Sequence, residues 1–116
     1  PVNRISVMAA FGCNFQGDVA VETVLKSAAD GFQIAAAHGA KIEVISLADT
    51  MGWAVQPRIE HVGGAVRERL PDVIIALHLH DTRGIAIANA HTALKMGVAS
   101  FDTTVGGLVG CPFAAH

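Results

Sequence analysis

Four short apolar, β-branched runs alternate along this chain with three stretches of helical periodicity, and that alternation restricts the fold to a parallel α/β architecture. The runs are Ile5 to Ala10, Ile42 to Leu47, Val73 to Leu79 and Ser100 to Val105. They read as near-continuous apolar segments rather than as strict alternation, the pattern of parallel strands covered by helices. After the first run, Val21, Val24, Leu25, Ala28 and Phe32 fall on one helical stripe. Asp18 is the candidate N-cap there and Gly39 the candidate stop. The second helix opens at Pro57, carries Ile59, Val62, Val66 and Leu70, and ends at Pro71. Gly63 and Gly64 in its middle each cost about 1 kcal/mol relative to alanine. A third helix places Ile87, His91, Leu94 and Val98 in register, with Gly97 near its end. The order is βαβαβαβ.

The bulk properties narrow the partners. The chain has 116 residues, 52% hydrophobic and 16% charged, with a formal net charge of −2. That length suits a single domain or part of one, so residues 1–116 read as a single partial domain. No basic face is available to neutralise phosphates, which argues against nucleic acid as a partner. No window reaches the roughly 18 uninterrupted apolar residues of a membrane span, and the first residues do not resemble a secretory signal. Cys13 and Cys111 do not form a disulfide framework, so a reducing cytoplasm is the expected compartment.

A further regularity concerns chemistry. Cys13, Asp49, His78, His80, Asp81 and Cys111 all fall at or just beyond the C-terminal end of an expected strand. In parallel α/β proteins that edge is where ligands bind, whether the sheet is open or closed into a barrel. A complete (β/α)8 barrel needs eight units and roughly 250 residues, so four units amount to about half of one.

His78 and His80 are two apart at a strand end, so both imidazoles point to one face. One reading is a pair of ligands to a divalent metal; the other is two hydrogen-bonded histidines of a packed strand. Imidazole nitrogens joined by oxygen ligands suit magnesium or manganese as well as zinc. Asp49 either assists proton transfer, or fixes a substrate hydroxyl or a ligand histidine, or simply caps a helix or turn. Asp81 and Arg83 either join the site or brace the loop as a carboxylate–guanidinium pair. Cys111, in the glycine-rich run Gly106 to Pro112, is a candidate acid or base once its thiol is tuned, against the alternative of a structural thiol. Cys13 reads as structural. His38, His61, His91 and His116 have no partners at ligand spacing.

Taken together, these motifs resemble the hydroxymethylglutaryl-CoA lyase family, within the wider group of metal-dependent TIM-barrel lyases and acyltransferases. The resemblance rests on Ile45 to Gly52, on Leu77 to Gly84, and on Phe101-Asp102 through Gly106-Gly107-Leu108 to Gly110-Cys111-Pro112-Phe113-Ala114. A weaker match runs from Phe11-Gly12-Cys13 to Gly17. The resemblance covers nearly the whole chain and implies a partial TIM barrel, from about the fifth strand to the loop after the eighth. It implies that His78 and His80 bind the catalytic divalent cation, magnesium or manganese, that Cys111 acts in proton transfer, and that Asp49 contributes to catalysis. The implied reaction is retro-Claisen cleavage of 3-hydroxy-3-methylglutaryl-CoA to acetyl-CoA and acetoacetate, by a homo-oligomeric cytoplasmic enzyme.

Two residues depart from the family pattern: Val109, where a small residue is usual, and Asn14, where proline is common. The family's remaining metal ligands, an aspartate of the first strand and an asparagine beyond the signature loop, fall outside the chain. The chain alone is therefore expected to be inactive. Two other readings are a lyase for a related acyl-CoA such as citramalyl-CoA, and a non-catalytic half-barrel that dimerises to cover its open edges.

Overall fold

The computed structural model describes residues 3–8, 10–12 and 20–102. Cys13, Asp18, Cys111, His116 and the glycine-rich passage before Pro112 lie outside them. The elements are β1 (Arg4–Val7), α1 (Val21–Ala37), β2 (Val44–Ala48), α2 (Gln56–Arg69), β3 (Ile74–His78), α3 (Ala86–Lys95) and β4 (Ser100–Phe101). All strand pairs are parallel, and their spatial order, β1-β2-β3-β4, is their chain order. A doubly wound sheet would reverse direction at a switch point. Strands laid down consecutively, each followed by a helix, form the wall of a (β/α)8 barrel instead. The expected α/β fold and partial TIM barrel are what the chain adopts.

Register explains why the strands look apolar throughout. Ile5, Val7, Ile45, Leu47, Ile75, Leu77 and Phe101 share one face of the sheet. Five of them, Val7, Ile45, Leu47, Ile75 and Leu77, are buried in the same core as Val24, Ala28, Ile59, Val62 and Val66 of α1 and α2. Fully burying one such side chain contributes roughly 1.5–3 kcal/mol, so this layer is a large source of the chain's cohesion. α1 sits close on β1 because residue 31 is glycine: a Cβ there would come within 2.9 Å of Ile5 Cδ1.

The other face is different. Arg4, Ser6, Val44, Ser46, Ala48, Ile74, Ala76, His78, Ser100 and Asp102 lie on it, and apart from Arg4, Val44, Ile74 and His78 they are small or short polar residues. Arg4 Nη2 donates to Ser46 Oγ at 2.9 Å and to Asp102 Oδ2 at 2.6 Å, from the first strand to the end of the fourth. Three inter-strand spacings would hold those strands about 14 Å apart in a flat sheet. The ion pair therefore requires a sheet curled concave toward its polar face, as in a barrel.

Several local expectations shift. The N-cap position of α1 falls on Ala20, with no side-chain cap, rather than on Asp18. Gly39 ends that helix as expected, with φ +72°. α2 runs unbroken through Gly63 and Gly64; Gly63 is buried against Met96 of the α3 end, where a side chain would crowd Met96 Cε at 3.2 Å. Of the stripe expected on α3, only Val98, beyond the helix end, is buried in the core. Ile87, His91 and Leu94 are exposed, and Asn89, Thr92 and Ala93 face inward. Two buried polar residues interleave with one alanine there, so apolar spacing alone selects the wrong face.

Candidate functional site

β3 ends at His78, and His80 follows two residues later on the same side of the chain. The two rings meet edge to face, with centroids 5.1 Å apart and planes at 73°. Their Nε2 atoms stand 3.2 Å from each other. Each ring is held by its opposite nitrogen: His78 Nδ1 lies 3.0 Å from Asp102 Oδ2, and His80 Nδ1 lies 3.0 Å from the Thr50 carbonyl. A carboxylate and a carbonyl can only accept, so both Nδ1 atoms carry the hydrogen. The two Nε2 atoms then face each other across that 3.2 Å gap.

Two such nitrogens can be bridged by a shared proton or by a metal cation. A divalent cation held at about 2.0–2.1 Å by each of two imidazoles places the nitrogens roughly 3 Å apart. An orienting carboxylate or carbonyl behind each ring is the usual support of a metal-bound histidine. The pair thus fits a divalent metal, with donors suited to magnesium, manganese or zinc. Among the described residues no third His, Cys, Asp or Glu completes a ligand set.

Asp49 closes the rim beneath His80. Its backbone N–H donates to the His78 carbonyl at 2.8 Å, which carries the β2–β3 pairing one step beyond the strand. Its side chain is 1% exposed. Oδ1 accepts the N–H groups of Trp53 (2.8 Å) and Ala54 (3.1 Å), tying the loop after β2 into a tight turn. Oδ2 has no hydrogen-bond partner among the described residues. Burial raises the Asp49 carboxyl above its ordinary 3.8, against the opposing pull of the Ala54 and Trp53 N–H groups and, more weakly, of His80 and Arg83. Asp102 moves the other way: the hydrogen bond from Arg4 lowers it, with a smaller contribution from His78.

Asp81 and Arg83 brace the loop, but not as a pair. Asp81 Oδ1 accepts the Ala86 N–H at the start of α3 at 2.9 Å, which supplies the cap that Ile85 cannot. Arg83 Nε donates to the Gly52 carbonyl at 3.1 Å. Gly52 itself has φ +71°, and a Cβ on it would meet Thr82 Oγ1 at 2.5 Å. Of the site residues expected from sequence, the structure brings together His78, His80 and, at the rim beside them, Asp49; Cys111 lies outside the described residues. Sequence reading did not single out Arg4, Asn89 or Asp102 as site residues. A lone cation opening an apolar strand and a carboxylate closing another were the available signals, since both sit on the phase opposite the helix-covered residues.

Residues 2–110 match the HMGL-like family model. The chain belongs to the HMGL-like family. An (R)-citramalyl-CoA lyase of Chloroflexus aurantiacus is 42% identical over 110 residues, covering 95% of this chain and 33% of that protein. The crystal structure of the Bacillus subtilis HMG-CoA lyase matches with a TM-score of 0.83 at 42% identity, covering 96% of this chain and 35% of that one. An HMG-CoA lyase from Acinetobacter baumannii, solved in complex with coenzyme A and 3-methylmalate, matches with a TM-score of 0.77 at 32% identity, covering 95% and 34% respectively. This HMGL-like chain therefore spans about a third of the length of the relatives it matches. No helix of its described residues is long and apolar enough to cross a membrane.

Proposed function

We propose that this chain forms the fifth to eighth strands of a divalent-metal-dependent carbon–carbon lyase acting on a 3-hydroxy acyl-CoA, with 3-hydroxy-3-methylglutaryl-CoA as the substrate. The observation that carries the reading is the convergence of His78 and His80 Nε2 at 3.2 Å, with both Nδ1 atoms anchored on acceptors. His78 and His80 hold the ion, magnesium or manganese. When bound, such an ion acidifies a substrate hydroxyl and steadies developing negative charge.

The reaction removes the proton of the tertiary hydroxyl. The C2–C3 bond then breaks, its electron pair passes to the acetyl-CoA enolate, and the C3 oxygen becomes the ketone of acetoacetate. A proton delivered to the enolate carbon completes acetyl-CoA. Cys111 is the proposed group for that proton traffic. Asp49 serves by holding the loop whose Thr50 carbonyl orients His80, and its unpartnered Oδ2 is the atom available to a substrate hydroxyl or a proton.

A second substrate has specific support: the 42% identity to the citramalyl-CoA lyase equals that to the Bacillus subtilis enzyme. Both substrates release acetyl-CoA, but the second product is pyruvate from citramalyl-CoA and acetoacetate from the hydroxymethylglutaryl ester. The experiment is to supply the whole protein with each thioester and manganese, then with chelator, and to identify the ketoacid. Chelator-sensitive acetoacetate supports the first reading and pyruvate the second. Release of neither by folded, manganese-loaded protein sinks both and leaves a non-catalytic half-barrel module.

A further inference from the structure

The geometry points to Asp102 as a positioning residue that fixes the tautomer and aim of His78, with Arg4 as the clamp that holds Asp102 in place. The inference rests on the proposed role of His78 as a metal ligand. A single carboxylate oxygen, Asp102 Oδ2, lies 3.0 Å from His78 Nδ1 and 2.6 Å from Arg4 Nη2. Nη2 donates also to Ser46 Oγ at 2.9 Å, so the guanidinium is anchored on β2 while it grips the end of β4. The small residues Ser46, Ala76 and Ser100 on that face leave the corridor through which the Arg4 side chain crosses the sheet.

Stability alone does not account for this arrangement. The Arg4 and Asp102 side chains are 39% and 32% exposed, and ion pairs that open to solvent contribute little to folding. What the pair does supply is direction. Asp102 can only accept, which commits the hydrogen of His78 to Nδ1 and leaves the Nε2 lone pair facing His80. With the carboxylate removed or made able to donate, the ring is free to carry its hydrogen on Nε2, where it would block a cation. A carboxylate behind a ligand histidine also raises its basicity, and losing such a partner typically costs about 10–100-fold in metal affinity.

The test uses the whole protein and two readouts. Long-range proton–nitrogen NMR of the histidine rings in metal-free protein reports the His78 tautomer; calorimetric titration with manganese reports affinity. Asp102→Asn is expected to move His78 away from the Nδ1–H form and to weaken manganese binding about 10–100-fold. Should that variant not fold, Arg4→Lys, which keeps the charge on a side chain one bond shorter, is expected to give the same changes at smaller size. Retention of the Nδ1–H tautomer in a folded variant overturns the proposal whatever manganese does. A lost tautomer with full manganese affinity, while His78→Ala abolishes binding, overturns the link between Asp102 and the metal. A lost tautomer with affinity unchanged in both Asp102→Asn and His78→Ala supports the positioning role and defeats the metal reading instead.

Discussion

Asp49 and Asn89 grip one residue, Ala54, by its two backbone groups: Asp49 Oδ1 accepts the Ala54 N–H at 3.1 Å, and Asn89 Nδ2 donates to the Ala54 carbonyl at 2.9 Å. Both side chains are 1% exposed, and Ala54 is fully buried. The loop after β2 is thereby fastened both to its own strand and to α3, a helix from the following unit. That is why the Thr50 carbonyl, in the same loop, is placed firmly enough to orient His80.

Replacing Asn89 by alanine leaves a buried carbonyl without its donor. The expected loss is about 1–3 kcal/mol, because a buried polar group left unpaired costs its desolvation. Urea denaturation of the whole protein measures it. A change within about 0.5 kcal/mol, the size of an ordinary surface substitution, would mean that the grip is dispensable.

The two shifted carboxyls give opposite pH signatures. Asp49 is raised in the folded state, chiefly by burial, so its contribution to stability is complete below pH 3.8 and is lost as pH rises through the raised value. Asp102 is lowered, chiefly by Arg4, so its contribution is complete above pH 3.8 and is lost as pH falls through its folded value. Relative to the parent protein, Asp49→Asn should therefore gain stability as pH climbs from 3.8, and Asp102→Asn should gain it as pH drops below 3.8. Denaturation midpoints of metal-free protein, taken as differences from the parent across pH, check both signs; slopes of equal sign would contradict the two environments described.

Gly52→Ala introduces two separable penalties. The left-handed backbone costs roughly 1–2 kcal/mol for an alanine, and the new Cβ collides with Thr82. Thr82→Gly in the same background should restore the second part and leave the first. A double-mutant cycle on thermal midpoints separates them, and strict additivity would show that no collision occurs.

His80→Ala removes one of the converging nitrogens altogether. Manganese affinity of the whole protein is expected to fall by more than the roughly 100-fold attributable to a lost supporting contact, with acyl-CoA cleavage falling alongside it. Calorimetry and acetyl-CoA release, measured on the same preparation, should move together; cleavage that persists while binding disappears would detach the chemistry from the histidine pair.

Much of this was legible in the chain itself. The strand runs, the Gly39 stop and the convergence of His78 with His80 follow from local periodicity and backbone geometry, which sequence encodes directly. The inner face of α3 is hidden from sequence because it carries the polar residues Asn89 and Thr92, and Asn89 is bonded to a loop contributed by another unit. Arg4 and Asp102 stand 98 residues apart, and nothing near either one announces the other. Their contact exists only because the sheet curls, and curvature is a property of the assembled strands. The Asp81–Arg83 pairing failed for a related reason: each found a backbone partner nearer than its neighbour's side chain.

The consecutive strand order bears on how the protein comes to be folded. Thirty residues separate Ile45 from its partner Ile75, and every strand neighbours the one made just before it. Each new unit can dock with a modest loop-closure penalty, so the apolar layer can grow stepwise. The polar face cannot grow that way, since Arg4 lies on β1 and Asp102 just beyond β4, at opposite edges of the described sheet. Partly folded chains would thus possess a core before they possess an oriented His78, and the ligand role proposed for that ring would become possible only once the fourth strand is seated.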